Sequence, residues 1–475
     1  MQNINTYKRF YIDGKWVMPS GSEICEVINP ATEAVAGVVP VGDVADVDHA
    51  VKAARAAFAS WSNTSAQERS DYIVALVNEM KNRADELGEL VTAEMGMPVQ
   101  FSKDIQVLGP VMGLETYIET PFQLEQPQTI GNSVVYKEAI GVCSLICPWN
   151  YPLHQLIGKI APALAAGCTM VVKPACETPL STFLMAQIID SIGLPKGVFN
   201  LVSGPGTVVG EAMCVHPEVD LVSFTGSTGA GVSISQTAAK TVKRVCLELG
   251  GKSPLLITQN ADLASAVTFG VNDVMINSGQ TCTALTRMLV PASRYEEAVA
   301  IAKGVAESLI MGDPLNKDSF MGPMSSHRQK QAVINCIKQG IAQGATLVTG
   351  GVEVPSDLQT GYYISPTIFA NVSNDMSIAQ DEIFGPVLCM IPYDDEQQGI
   401  EIANDTVFGL AAHVWAGTQE QGLAIAKQIR AGQVFVNGAD YNYDAPFGGY
   451  KQSGNGREWG YEGALEYVEL KSIQL

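Results

Sequence analysis

Cys282 closes the run Asn277-Ser278-Gly279-Gln280-Thr281-Cys282, directly after a glycine-containing turn and downstream of a helical stretch. A cysteine so placed is held on a tight loop where its sulfur can face a cleft. The thiolate is the nucleophilic form and adds readily to carbonyl carbon. Taken alone, the residue reads more simply as a buried loop cysteine. In Leu247-Glu248-Leu249-Gly250-Gly251-Lys252 a lone carboxylate sits between leucines at a chain bend. Burial raises a carboxyl pKa and makes the group a usable base near neutral pH, although an ion-paired carboxylate is an equal alternative here. Asn150, in Cys147-Pro148-Trp149-Asn150-Tyr151-Pro152, follows an apolar strand and is flanked by prolines. Its amide N–H can stabilise a developing oxyanion, an effect of roughly 10²–10³ in rate. The plainer reading is a Pro-bounded turn.

Phe224-Thr225-Gly226-Ser227-Thr228-Gly229 follows the apolar run Leu221–Phe224 and opens a helix. Free N–H groups at a helix N-terminus suit a pyrophosphate. This is not G-x-G-x-x-G, and Gly204-Pro205-Gly206 with Gly210 approaches that fingerprint only weakly. Gly251-Lys252-Ser253 is not a P-loop, because Cys246 stands where its first glycine is required.

These segments need a scaffold. Val47, Val51, Ala54 and Phe58 fall on one face of a helix over 46–61, and Ile73, Leu76, Val77 and Met80 on one over 66–81. From 139 onward short strands alternate with helices: strands at 139–147, 169–173, 198–202 and 221–224, helices at 154–166, 182–192 and 208–215. That alternation implies parallel βαβ units. A second series starts near Gly250, with strands at 255–258, 287–291, 367–369, 387–391 and 433–436, and helices at 261–276 and 295–309. The expected fold is α/β, two Rossmann-like parallel-sheet domains with a cleft between them. The final run, Ala464–Leu475, alternates like an exposed strand in need of a partner, which another subunit can supply.

Length and composition agree. The 475 residues exceed a single core, and 47% hydrophobic against 16% charged residues suits large buried cores. A net charge of −20 argues against nucleic acid or an anionic membrane as partner. The first residues lack an apolar secretion segment, and prolines interrupt the best apolar stretches, so a cytoplasmic protein is expected. Ten scattered cysteines contain no C-x-x-C pair and no zinc-ligand spacing, so no metal is expected.

Asn150, Lys173, Gly226, Glu248, Cys282, Glu382-Ile383-Phe384-Gly385-Pro386 and Pro446-Phe447-Gly448-Gly449-Tyr450-Lys451-Gln452-Ser453-Gly454 occur in the order and spacing of the aldehyde dehydrogenase superfamily. The chain resembles that superfamily from Phe10-Ile12-Gly14 to its last strand. The resemblance implies Cys282 as nucleophile, Asn150 with the Cys282 backbone N–H as oxyanion hole, and Glu248 as the base that activates the hydrolytic water. It implies a cofactor site of Cys147, Trp149, Lys173, Ala175, Cys176, Gly206, Gly226, Ser227, Leu249, Glu382 and Phe384. It implies a cofactor domain over 1–118 and 139–250, a catalytic domain over 251–448, and a small β oligomerisation element over 119–138 and 449–475 of a homotetramer or homodimer. One position departs: Cys176 stands where the family often has a glutamate that holds the adenosine ribose. A thiol neither binds those hydroxyls strongly nor repels a 2′-phosphate. NAD is the expected cofactor and NADP the alternative.

By position, Tyr151, Gln155, Ile276, Thr281, Thr283, Tyr441, Tyr443 and Phe447 line the aldehyde side. No arginine or lysine is among them, which favours a neutral aliphatic or aromatic aldehyde over an anionic semialdehyde. Three rivals stand beside this reading. CoA-acylating relatives usually lack the base that Glu248 matches. A cysteine hydrolase would have to draw its histidine from His49, His154, His216, His327 or His413, and would leave the hydride-transfer motifs without purpose. A non-catalytic protein of the same fold would not need all three central residues.

Overall fold

The computed structural model describes residues 5–475. Five strands run parallel at the centre of the first sheet, adjacent in the order Arg244–Glu248, Leu221–Thr225, Val142–Ile146, Thr169–Lys173 and Phe199–Leu201. Val142–Ile146, Thr169–Lys173 and Leu221–Thr225 are buried at every residue, as strands covered by helices on both faces must be. The chain builds outward from Val142–Ile146 in one direction and then returns to add Leu221–Thr225 on its other side. The sheet therefore has its topological switch point between those two strands, and a crevice opens beyond their C-terminal ends. Asn150 and Gly226 follow these two strands.

The second sheet orders Thr367–Ala370, Val387–Tyr393, Arg287–Pro291, Pro254–Ile257, Ala411–Trp415 and Gln433–Val436 in parallel, with Thr346–Thr349 antiparallel at one edge. Alternate residues leave opposite faces of a strand. Leu255, Ile257, Met288 and Val290 enter one apolar cluster, whereas Leu256 and Leu289 enter another. Each face is covered by helices. The strands Thr169–Lys173, Arg287–Pro291 and Gln433–Val436 match their sequence-based bounds, and most others shift by one to three residues.

Several expectations are corrected. The helix expected over 208–215 is a wide π turn, Gly206–Gly210, followed by Glu211–Val215, because Gly206 and Pro205 start the coil early and loosely. The final run does not begin as a strand: Gly460–Leu465 is helical with Ala464 fully buried, and only Val468–Gln474 is extended. That strand finds its partner in Ser133–Ala139 of the same chain, antiparallel from Val468↔Ala139 to Gln474↔Ser133. It remains at the edge of a three-stranded sheet with Gln128–Ile130. Gly454–Asn455 pairs instead with Leu247 and Glu248, so residues after 449 also close the first sheet beside the candidate base. Near the start of the chain, Asn5–Thr6, Val35–Pro40 and Ile24–Ile28 form another small sheet. Among the described residues, no helix is long and apolar enough to cross a membrane.

Candidate active site

The loop that carries Cys282 is built by an abrupt reversal of the chain. The helix Leu263–Met275 ends, and Asn277, Ser278 and Gly279 all take left-handed backbone angles, with φ of 52°, 55° and 73°. Only glycine adopts that conformation freely, so the two preceding residues need anchors. Ser278 Oγ donates to the Gly322 carbonyl at 2.7 Å. Gln280, fully buried, donates from Nε2 to the Asn277 carbonyl at 3.0 Å and accepts the Ser325 N–H at 2.8 Å. Beyond the cysteine, Asp273 accepts the Leu285 N–H at 2.9 Å, and burial raises its carboxyl to about 7. At Gly279 a Cβ would lie 2.0 Å from the Gly385 carbonyl oxygen. Gly279→Ala is therefore expected to lower Tm by several degrees and to depress activity with it, since strain and overlap together cost on the order of 2–4 kcal/mol. Thermal unfolding and a parallel rate assay measure both; an unchanged Tm would show that the loop relaxes freely.

Asn150, which follows a strand of the first sheet, is tied to this loop. Its Nδ2 donates to the Gln280 carbonyl at 2.9 Å, and its own carbonyl accepts from Asn277 Nδ2 at 3.1 Å and Gln106 Nε2 at 3.2 Å. One amide hydrogen of Asn150 is thereby fixed, which orients the second. Asn150 and Cys282 line the same cavity, about 310 Å³ in volume, at the crevice beyond the switch point. Cys282 is half-buried, packed against the first core on one side and lining the cavity on the other.

Glu248 ends the strand Arg244–Glu248 and is buried, with Oε2 making no hydrogen bond. Burial, then the nearby Glu458 carboxylate, pushes its pKa well above the usual carboxylate range. Glu458 is paired with Lys159, and Lys159 also donates to Thr225 Oγ1 at 2.7 Å. This buried ion pair was not read from the sequence. The clue was present: Lys159 is the one charged residue in the helix Pro152–Ala166, whose other members are buried almost throughout. The Cys282 thiol is likewise pushed up, first by burial, then by the Glu382 and Glu248 carboxylates.

The opposite wall of the cavity holds Pro148, Trp149, Thr225, Gly226, Ser227, Leu249, Gly250, Glu382 and Phe384. Trp149 and Phe384 meet edge to face, with centroids 5.3 Å apart at 87°. Phe384 sits at φ 56°, a costly angle for a bulky residue, and Gln329 Nε2 donates to its carbonyl at 2.9 Å. Glu382 accepts the Gly251 N–H at 2.9 Å, and burial lifts its carboxyl to about 7. A Cβ at Gly250 would meet that carboxylate at 2.3 Å, so the glycine makes room for it. Ser227 caps the helix Thr228–Ala238 by accepting the Ala230 N–H at 3.3 Å. The Gly226 N–H, by contrast, donates to the Glu248 carbonyl at 3.0 Å and is not a free donor for an anion.

Five of the expected cofactor residues do not line this cavity, four of them grouped elsewhere. Lys173 is buried at the end of its strand and donates to the Pro174 carbonyl at 2.7 Å and the Gly204 carbonyl at 3.3 Å. Ala175 and Cys176 follow it, and the Cys176 thiol donates to the same Gly204 carbonyl at 3.3 Å. Gly206 is exposed with open space where a side chain would go. Together they form a second patch along the switch-point crevice. Cys147 is not at the cavity surface; it is buried in the core, which pushes its thiol up to about 12. Sequence reading missed the helix His327–Ala342, which contributes Gln329, Ala332 and Cys336 to the cavity. Its apolar stripe, Val333, Ile334, Ile337 and Ile341, has clear helical spacing, so the signal was present in the sequence.

Comparison with known families matches residues 16–473 to the one described as the aldehyde dehydrogenase family. The chain belongs to the aldehyde dehydrogenase family. A 3-succinoylsemialdehyde-pyridine dehydrogenase from a Pseudomonas species is 48% identical over 468 residues, 98% of each chain. Aldehyde dehydrogenase C of Pseudomonas syringae, a cysteine-to-alanine mutant complexed with NAD+ and octanal, superposes with a TM-score of 0.97 at 45% identity, covering 98% of this chain and 96% of that one. A Mycobacterium tuberculosis aldehyde dehydrogenase complexed with NAD+ has a TM-score of 0.97 at 41% identity, over 100% of this chain and 99% of the other.

Of the residues expected on the substrate side of this aldehyde dehydrogenase, Tyr151 and Thr281 meet through their hydroxyls at 2.8 Å, next to Cys282. Ile276 and Thr283 flank the same loop, both half-buried. Tyr441, Tyr443 and Phe447 form part of an aromatic wall with His154 and Trp459. Gln155 turns elsewhere: it is buried and accepts from Thr225 Oγ1 at 3.4 Å, on the side of Lys159. Its neighbour His154 takes the wall position instead, because adjacent helical residues point about 100° apart.

Proposed function

We propose that Cys282 oxidises its aldehyde through a covalent thiohemiacetal and thioester, with NAD as the hydride acceptor and water as the acyl acceptor. The observation that carries this is the shared cavity: a nucleophilic sulfur and an oriented amide donor from two domains open on one space. The aldehyde carbonyl enters, the Cys282 thiol gives up its proton to water, and the sulfur bonds to the carbonyl carbon as the C=O π pair moves onto the oxygen. Asn150 Nδ2 and the Cys282 backbone N–H stabilise that oxygen. NAD, when bound, supplies an acceptor for the hydride lost from the tetrahedral carbon, leaving a thioester on Cys282. Glu248 then takes a proton from water, whose oxygen attacks the thioester carbon, and the acid leaves as the thiol is restored.

The residues present suit that cofactor. Glu382 and Phe384 would hold the nicotinamide half against Trp149, the helix opening at Ser227 would face the pyrophosphate, and Lys173 with Cys176 would hold the adenosine ribose. Both structural relatives named above are complexed with NAD+, which supports NAD here. A thiol at residue 176 is already engaged with a backbone carbonyl and carries no charge to repel a 2′-phosphate. The ratio of kcat/KM for NAD over NADP is accordingly expected to be modest, within a few tens, as follows from one missing polar contact of about 1–3 kcal/mol. Cys176→Glu is expected to raise that ratio about tenfold or more by repelling the phosphate. A wild-type ratio above about 10³ would exclude relaxed selectivity.

The aldehyde is proposed to be neutral, since the residues beside Thr281 carry no cation. A location in the cytoplasm and a homodimer or homotetramer are proposed as well. The edge strand Val468–Gln474, with Leu470 and Ile473 exposed at 68% and 43%, offers surface for a second copy. Appearance of reduced cofactor by near-ultraviolet absorbance with simple aldehydes tests the whole reading; a hydrolase would release acid from esters without it.

A further inference from the structure

The strand Thr169–Lys173 is the second of the first βαβ unit, after Val142–Ile146 and the helix Pro152–Ala166. In doubly wound folds an acid beyond the end of that second strand holds the adenosine ribose hydroxyls, and an arginine nearby accommodates a 2′-phosphate. Both residue types stand here, and they touch. Glu177 follows Lys173-Pro174-Ala175-Cys176, and its Oε1 accepts from Arg328 Nη2 at 3.2 Å. Arg328 comes from the far side of the crevice. It lies in the first turn of the helix His327–Ala342, whose Val333 and Ile337 enter a core of the second sheet and whose Gln329 and Ala332 line the cavity. The ion pair therefore bridges the two bodies beside the patch of Lys173 and Cys176.

Its partners are unequally placed. The Glu177 side chain is 30% exposed and the Arg328 side chain 82%, so most of the guanidinium faces solvent. Ser326 Oγ accepts the Gln329 N–H at 3.2 Å, which fixes the turn from which Arg328 projects. That turn reads His327-Arg328-Gln329-Lys330, with two cations and no acid, at the positive end of a helix. Glu177 acts on its own side of the crevice. Burial lowers the pKa of the Lys173 ammonium and raises that of the Cys176 thiol, and the Glu177 carboxylate pushes each upward. The Lys173 ammonium is already committed to the Pro174 and Gly204 carbonyls, at 2.7 and 3.3 Å. Arg328 is thus the better placed partner for a further anion.

We infer that the Glu177–Arg328 pair sets the choice between NAD and NADP: Glu177 opposes a 2′-phosphate, and Arg328 offsets that charge and receives the phosphate. The inference rests on the reading that the adenosine ribose lies at Lys173 and Cys176. With NAD the pair stays closed beside the ribose hydroxyls. With NADP the 2′-phosphate takes the place of the carboxylate on the guanidinium, which suits phosphate oxygens equally. The two residues therefore act with opposite signs.

Adenosine 2′,5′-bisphosphate and 5′-AMP differ by that phosphate alone, so the ratio of their affinities in calorimetric titration isolates its contribution. Exposed charge pairs contribute about two- to fivefold. Arg328→Gln should lower the relative affinity for the bisphosphate by about that factor, and Glu177→Gln should raise it by about as much. Both shifts should fade near 1 M salt, where the screening length is about 3 Å. The ratio of kcat/KM for NADP over NAD should move in the same directions. A ratio unmoved in either variant, shifts of the same sign, or shifts that persist at high salt would overturn the inference. Binding of 5′-AMP to both variants shows that they fold and keeps the adenosine reading in place. Failure of 5′-AMP to bind the wild-type chain, or of NAD to displace it, would remove that reading and the inference with it.

Discussion

Cys282→Ala is expected to abolish aldehyde oxidation, by roughly 10⁴-fold or more in kcat, because no other group in the cavity can form the covalent adduct that the mechanism requires. Cys336 is the one other thiol lining that cavity, and it stands on the far helix, His327–Ala342, rather than beside Asn150. The substitution removes one sulfur from a half-buried position, so the fold should survive with little change in Tm. Cofactor binding should persist too, since the groups proposed to hold it are Glu382, Phe384 and Trp149. The measurement is single-turnover formation of reduced NAD alongside a direct binding titration. Substantial residual turnover with intact binding would take the nucleophile away from Cys282. Loss of binding as well would mean that the loop, not the sulfur, had been damaged.

What could be read in advance divides along a physical line. Fully buried parallel strands leave continuous apolar runs, so Thr169–Lys173 and Arg287–Pro291 were legible to the residue. Taken alone, Cys282, Glu248 and Asn150 each kept a plainer structural reading; only the order and spacing of all the motifs together, which resemble the family's, singled them out. Partnership across the fold was not legible. Nothing local told that Val468–Gln474 pairs with Ser133–Ala139, or that Gly454 lies against Glu248. The helix His327–Ala342 carried a readable apolar spacing at Val333, Ile334, Ile337 and Ile341, but nothing local told that its other side supplies a wall of the cavity. Gln155 was placed by alignment of position alone, and a helical turn carried it to the wrong side.

Glu248→Gln separates the two halves of the reaction. The amide keeps the size and burial of the side chain but cannot accept a proton from water. Acylation of Cys282, which needs the sulfur and the oxyanion donors, should continue, so a pre-steady-state burst of reduced NAD is expected at near wild-type amplitude. Steady-state turnover should fall by roughly 10²–10⁴, the usual weight of general-base catalysis. The pH profile gives an independent check, and its sign follows from the environment. Burial and Glu458 raise the pKa of Glu248 above the ordinary carboxylate value, so its protonated, inactive form persists to higher pH than an exposed glutamate's would. Wild-type turnover should accordingly climb as pH rises through that raised pKa and level off above it, and in Glu248→Gln this limb should disappear. The Lys159–Glu458 pair makes the limb adjustable: Lys159→Met leaves a buried carboxylate uncompensated beside Glu248 and should move the climb to higher pH if the chain still folds. Loss of the burst together with turnover in Glu248→Gln would place the carboxylate earlier, at activation of the thiol. That outcome has a physical route, since burial and the neighbouring carboxylates leave Cys282 protonated at rest and some base must receive its proton.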